Sequence, residues 1–402
     1  MFIWHRPAFA ANLCVVSVIY LDSNATTRPA DEVIAVMDRA MRELWANPSS
    51  VHRPGQAARQ KVELAREEIA RLLNCKRTEL LLTSGGTEAI NMAIRGSLQC
   101  QPDRHVVITS RLEHSAVRET AECIARGGCE VIWLKCDQYG VIDLNHLEDL
   151  LRQRAGEIAL VTVMWANNET GVLQPVEQIG EQCRAHGVRF HTDATQYVGK
   201  MPADMDAMPI DLLNFAAHKF HGPKGIGGIY IRSGVKLPAL ISGGPQERQR
   251  RGGTENVPGI LGMGEAARLA REWLATDEPS RLAACRDRFE RGILESLSET
   301  SINGGGAPRL WNTANIAFHK LEAETILLLL SERGVCASGG AACSSGSLEP
   351  SPVLKAMGLP PEAANGSVRF SLSRETTDDE LDRAMEIITA GVGNLKKLMV
   401  PA

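Results

Sequence analysis

From residue 58 to residue 232 the sequence repeats one alternation: a short, almost wholly apolar run, then a stretch of helical periodicity. Seven such runs occur: Glu79–Thr83, Val106–Thr109, Glu130–Leu134, Ile158–Trp165, Val188–Thr192, Leu212–Ala216 and Gly227–Ile231. Ahead of the first, Gln56–Leu73 places Val62, Ile69, Leu72 and Leu73 at helical spacing. Runs without polar alternation suit strands buried on both faces. Strands separated by helices indicate a largely parallel sheet covered on both sides. The expected class is α/β, a mostly parallel seven-stranded sheet flanked by helices. Ligands of such sheets lie beyond the carboxyl ends of the strands, so polar residues just after each run are candidates for a site.

Beyond Gly243–Gly253, rich in Gly and Arg, the pattern changes. Helices near 260–275 and 279–298 lead to a shorter α+β segment that ends near residue 396. The expected division is a large α/β domain, residues 30–274, and a smaller α+β domain formed by residues 1–29 and 275–402. More than one packed unit is the ordinary outcome for 402 residues.

Composition narrows the function classes. Hydrophobic residues make up 44% and charged residues 23% of the chain, which suits a soluble globular protein with a large core. The formal net charge is −4 and no block of like charges occurs. That argues against a nucleic-acid surface or a polybasic membrane patch. Aromatic residues, at 4%, are too few for a base-stacking platform. No segment approaches the roughly 18 to 20 uninterrupted apolar residues of a spanning helix. The opening MFIWHRPAFAANLCVVSVIY loosely imitates a signal peptide. It runs directly into LDSNATT, however, and residues 1–17 read instead as a dispensable extension. Ten cysteines occur without CxxC pairs or a short disulfide framework. They are expected to be mostly reduced thiols, and the expected compartment is the cytoplasm.

Five pieces of sequence can carry chemistry. Ser84-Gly85-Gly86-Thr87 lies between a strand and a helix. Glycines admit an anion close to the backbone, and a helix N-terminus offers it unpaired N–H groups; a plain Thr N-cap fits the same residues. Phe190–Gln196 ends a strand on Asp193. A buried carboxylate there needs a cationic partner such as a pyridinium nitrogen, unless it caps a helix. Lys219 follows the run Leu212–Ala216 and is expected to project from a strand end into the site. An apolar setting lets such an amine lose its proton and form an imine with an aldehyde. Lys224, in a Gly-Pro-Lys-Gly turn, reads as a solvated turn residue. Cys343 lies in CASGGAACSSGS, a run of small residues that cannot form a core, so its thiol is expected to be accessible and able to travel. Cys336 and Cys343 are seven apart with no histidine between them, unlike a zinc site, and no metal is expected. Arg369, on the alternating strand Val368–Leu372, can hold a carboxylate bidentately; taken alone it reads as a surface salt bridge.

YLDSNATT, NPSSVH, TSGGTEA, EHSAV, ANNETGV, HTDATQ, HKFHGPKGIGG, RRGGTENV and ACSSGSLEPS follow one another along the chain. From Tyr20 to Leu381 this set resembles the cysteine desulfurases of the NifS/IscS-like group. The resemblance implies a fold-type-I enzyme that binds pyridoxal 5'-phosphate and is homodimeric, with active sites at the subunit interface. It implies removal of sulfur from L-cysteine, giving L-alanine and a persulfide on Cys343, the nucleophile on loop 336–347. By the same resemblance Lys219 binds the cofactor covalently, Asp193 pairs with its ring nitrogen, and His114 stacks on the ring and serves as acid or base. Gln196 and Asn168 bond the phenolic oxygen. Gly86, Thr87 and His218 cradle the phosphate, which Thr254 of the partner subunit completes. Arg369, Asn24 and Asn168 hold the substrate carboxylate. The sulfur then passes to an acceptor such as an iron–sulfur scaffold protein.

One position departs from the pattern: the family often has serine three places before the lysine, and this chain has Ala216. Another class-V lyase or aminotransferase, selenocysteine-specific or kynureninase-like, would share the lysine and aspartate but needs no accessible thiol. A non-catalytic sulfur or metal carrier would instead use its cysteines as ligands.

Overall fold

The computed structural model describes residues 18–339 and 350–399. After β1 (Ile19–Tyr20) come seven strands: β2 (Leu80–Thr83), β3 (Val106–Ser110), β4 (Glu130–Leu134), β5 (Ile158–Thr162), β6 (Phe190–Asp193), β7 (Leu212–Ala216) and β8 (Gly227–Ile231). They form one sheet in the order β2-β8-β7-β6-β5-β3-β4. Neighbours among β3 to β7 pair in parallel. Only β8 runs the other way, antiparallel to both β7 and β2. The mostly parallel seven-stranded sheet expected from the sequence is the sheet observed.

Every residue of β2, β3, β5, β6, β7 and β8 is buried. Leu81, Val107, Leu160, Leu212 and Ile229 pack on one face with Ile90 and Ala93 of the helix Gly86–Gln99. Leu80, Leu82, Ile108, Val161 and Phe215 pack on the other with Val62, Ile179 and Met263. Alternate side chains thus enter different cores, and both cores are apolar. Several boundaries differ from expectation: β3 runs on to Ser110, and β6 spans Phe190–Asp193 instead of Val188–Thr192. The fourth run stops at Thr162 instead of Trp165, and Glu79 belongs to the turn Arg77–Glu79. The Glu79 carboxylate accepts from Ser233 N and Oγ and from Lys76 N, bonds that a strand position would not give it.

The remaining strands are β9 (Thr300–Ile302), β10 (Thr313–Phe318), β11 (Val335–Cys336), β12 (Ser338–Gly339) and β13 (Ser367–Ser371). An antiparallel sheet runs β12-β13-β10-β9, while β11 pairs in parallel with β1. A separate apolar cluster lies here, with Phe289 edge-on to Phe370 at 5.4 Å between ring centres. Ile19 and Leu21 belong to this second cluster. The chain passes to this core between the helices Val257–Leu274 and Glu278–Ser296, and Val353, Leu354, Met357 and Ala364 return to the first.

The Gly- and Arg-rich segment after β8 is tied down at two carboxylates, Glu247 within it and Glu88, which accepts from Arg251 at 3.1 and 3.3 Å. Glu247 accepts from Arg66 at 2.6 and 2.9 Å and from Leu82 N at 3.0 Å. No helix in the described residues is long and apolar enough to cross a membrane.

Gly227, which starts β8, leaves no room for a side chain. A Cβ there would stand 2.5 Å from Phe215 O and 2.9 Å from Gly85 Cα. Gly227→Ala is therefore expected to destabilise the fold by about 1–3 kcal/mol through overpacking. A lower urea midpoint at unchanged slope is the expected reading; an unchanged midpoint would contradict this packing.

Candidate active site

Beyond the carboxyl ends of the sheet lies one cavity of about 730 Å³. Gly86 and Thr87 follow β2, His114 follows β3, Asn168 follows β5, Asp193 and Gln196 close β6, and His218 and Lys219 follow β7; all of them line it. Asn24, shortly after β1, and Arg369, on β13 of the second sheet, complete the set. Thr254 is exposed and does not line this chain's cavity, and Cys343 lies outside the described residues.

Gly86 is the first residue of its helix, and the N-cap Gly85 supplies no side-chain bond. Thr87 therefore lies inside the helix and is not its cap. Unpaired N–H groups of this first turn are suited to an anion. A Cβ on Gly86 would lie 3.1 Å from Thr195 Oγ1 and 3.9 Å from Ala216 Cβ, so glycine keeps this corner open. Thr195 Oγ1 accepts from Asn214 Nδ2 at 2.9 Å, which leaves its own hydrogen for another acceptor. A hydroxyl thus stands close to Ala216, where the sequence pattern lacks one. His218 Nδ1 lies 3.2 Å from Thr26 Oγ1. Burial, followed by the charges of Lys219, Lys224 and Lys200, pushes the His218 imidazole down to about 4.

Asp193 Oδ1 accepts from Asn214 Nδ2 at 2.7 Å and from Thr195 N at 3.0 Å. The chain turns here and enters no helix, so this carboxylate is not a helix cap. Asn214 gives its amide hydrogens to Asp193 and Thr195, so its Oδ1 must accept from His191 Nε2 at 2.9 Å. His191 Nδ1 then accepts from Thr162 Oγ1 at 2.8 Å. Burial pushes His191 down to about 4 against the opposing pull of Asp193, which keeps the ring neutral as this chain of bonds requires. His114 caps the helix Ser115–Arg126, with Nδ1 accepting from Ala116 N at 3.1 Å. Its neutral ring therefore carries the proton on Nε2. Burial lowers its pKa, with Asp193 opposing and Lys219 and Arg118 reinforcing the shift.

Lys219 closes the short turn Ala217–Lys219 directly after β7. Its Nζ donates to Asn24 O at 2.6 Å and Ala25 O at 2.8 Å. Asn24 O also accepts from Gln196 Nε2 at 2.9 Å. Arg369 donates to Asp22 Oδ1 at 2.8 Å and Asn168 O at 2.9 Å. The surface salt bridge read from Arg369 alone is corrected here: β13 lies between β12 and β10, and the side chain is only 2% exposed. Its Nε and the Oδ1 of Asn168 are buried without a hydrogen-bond partner among the described residues. Lys224 is exposed, in keeping with a turn residue.

Sequence reasoning missed Arg118, Glu169, Thr195 and Lys200. Arg118 and Glu169 line the cavity. Ser351 Oγ donates to Glu169 Oε2 at 2.5 Å, and burial pushes that carboxyl up to about 7. Arg118 comes one helical turn after His114, a spacing that could have revealed it. Lys200 carries no such signal.

Residues 19–384 match the profile of the class-V aminotransferase family. Cysteine desulfurase 2 of Trichormus variabilis is 46% identical over 383 residues, covering 95% of each chain. A solved NifS-like protein superposes with a TM-score of 0.87 at 34% identity, covering 94% of this chain and 100% of the other. A solved SspA in complex with cysteine gives a TM-score of 0.78 at 33% identity, covering 89% of this chain and 99% of that one. A match of this extent, on a chain whose strand ends gather a lysine, an aspartate and a capped histidine around one cavity, shows that the chain belongs to the class-V aminotransferase family and, within it, to the cysteine desulfurases.

Proposed function

We propose that this enzyme binds pyridoxal 5'-phosphate and moves sulfur from L-cysteine to Cys343, releasing L-alanine. The observation that carries the reading is the gathering of Lys219, Asp193 and His114 on one cavity beside the helix start at Gly86. The cavity fits the cofactor. An amine suited to hold its aldehyde carbon, a buried carboxylate for its ring nitrogen and a glycine-lined helix start for its phosphate are all present. The bound ring supplies an electron sink.

The chain's own residues do the rest. Lys219 would hold the cofactor, and its amine would be the group placed to take the Cα proton of the substrate. Asp193, oriented by Asn214 and the Thr195 N–H, would face the ring nitrogen and favour its proton. Gly86, Thr87 and His218 take the phosphate, Gln196 and Asn168 the phenolic oxygen. Arg369 gives one N–H to Asp22 and one to Asn168 O, which leaves Nε–H and further donors for a carboxylate. Asn24 and Asn168 share that clamp. His114, neutral with its proton on Nε2, is suited to acid and base steps. The carbon–sulfur bond of cysteine breaks while a sulfur–sulfur bond to Cys343 forms. Cys343 gives up its thiol proton and the product carbon gains one, so the step balances. The resemblance of the sequence supplies the role of Cys343.

The proposal extends to assembly and place. Residues 30–274 are read as the cofactor domain, and 1–29 with 275–402 as the smaller domain. A homodimer would cover Trp45 and Val51, now 78% and 94% exposed, and bring Thr254 of the partner subunit to the phosphate. The described cysteines are free thiols, which suits a cytoplasmic enzyme handing sulfur to an acceptor protein such as an iron–sulfur scaffold. Neither nucleic acid nor membrane is a partner in this reading.

Three outcomes are expected. Lys219→Ala should abolish turnover and the visible absorbance of covalently held cofactor, while Lys224→Ala keeps both; the reverse pattern would sink the assignment. Cys343→Ser should still change the cofactor spectrum on adding cysteine, yet form no persulfide. Alanine produced at an undiminished rate by that variant would point to a class-V lyase of the selenocysteine or kynurenine type. Sedimentation velocity should show a dimer that Trp45→Glu weakens at least tenfold. A monomer at micromolar concentration in the unaltered protein would remove Thr254 from the site.

A further inference from the structure

Lys200 is a buried lysine with no carboxylate beside it. It is 4% exposed and forms no ion pair among the described residues. Its Nζ donates to two amide oxygens, Gln196 Oε1 at 2.6 Å and Asn24 Oδ1 at 2.8 Å. Its backbone is fixed from the second core, since Trp311 Nε1 donates to Lys200 O at 2.9 Å. An isolated amide can turn over and exchange its oxygen for its nitrogen. Here Gln196 is held from both ends. Asn24 O accepts one of its N–H groups, and Lys200 occupies its oxygen. The second N–H of Gln196 bonds to no described residue, and the side chain lines the cavity.

We propose that Lys200 is a positioning residue, which turns the Gln196 amide so that it presents an N–H to the phenolic oxygen of the cofactor. This rests on the pyridoxal phosphate reading above. Without Lys200 the Gln196 oxygen loses its donor, and an overturned amide would set oxygen against oxygen at the cavity. Lys200 itself does not line the cavity. Burial, and then the nearby charges of Lys219 and Arg369, hold its pKa well below the ordinary lysine value. A depressed lysine pKa means that the unfolded chain binds the proton more readily, so the native state is disfavoured at neutral pH. Lys200→Met removes that burden but leaves the Gln196 and Asn24 oxygens without this donor, so melting is followed only to check that the variant folds.

The test loads pyridoxal 5'-phosphate into the full chain and follows the visible absorbance of the bound cofactor against pH. The proteins compared are the unaltered one, Lys200→Met, Gln196→Ala and the double variant. Lys200→Met should keep bound cofactor, yet displace the midpoint of the absorbance change by about one pH unit, tenfold in the equilibrium. The double variant should match Gln196→Ala alone, because Lys200 acts through that amide. Lys200→Gln, which can still donate an N–H, should recover part of the displacement, and it carries the comparison if Lys200→Met does not fold. No displacement, or one that persists in full in the Gln196→Ala background, would overturn the inference. Failure of the unaltered protein to bind the cofactor would overturn the functional reading first, and this inference with it.

Discussion

Lys219 Nζ donates to the carbonyl oxygens of Asn24 and Ala25, and the short stretch that carries them is bonded to both sheets. Asp22 pairs with Arg369, Asn24 N donates to Ser371 Oγ, and the Asn24 side chain bonds to Asn312 and Thr313. On the other side, Thr26 meets His218, and Thr27 bonds to His218 O and His221 N. Residues 22–27 thus join the strand ends of the parallel sheet to the centre of the antiparallel one. The amine and the guanidinium face a common cavity because one short segment bonds to both.

Burial governs the charge state around that segment. It pushes His191 and His218 towards their neutral forms, and Glu113 and Glu169 towards theirs, by raising the carboxyls to about 8 and about 7. Neutral imidazoles have one donor and one acceptor in fixed places, so each can join only a directional chain of bonds. The His191–Asn214–Asp193 chain is an instance: its direction is set at Thr162 and ends on the carboxylate. The orientation of Asp193 is therefore decided three residues deep in the sheet.

Much of the fold was legible because six of its central strands are buried on both faces and so read as unbroken apolar runs. The second sheet was less so, since β9, β11 and β12 have only two or three residues each, too few for a period to show. At the site, Asp193 and Lys219 could be found as polar residues that close apolar strands. Arg369 could not be placed by itself, because alternation looks the same on a central strand as on an exposed one. Its burial comes from neighbours drawn from distant sequence. Lys200 was silent for a related reason: it lies in an irregular turn, and its surroundings are amides and a tryptophan brought from elsewhere.

Glu247 has a further consequence through its bond to Leu82 N. β2 is the last strand of its sheet, and an outermost strand offers free backbone donors to any extended chain that meets it. Here a carboxylate from an irregular segment occupies one of those donors, and Arg66 neutralises it, both side chains being nearly inaccessible. The sheet is thereby closed by a side chain where another strand could have added. Loss of that carboxylate would do more than break an ion pair. It would reopen a template for strand addition and favour self-association into fibrous or amorphous aggregates, with the catalytic groups themselves untouched.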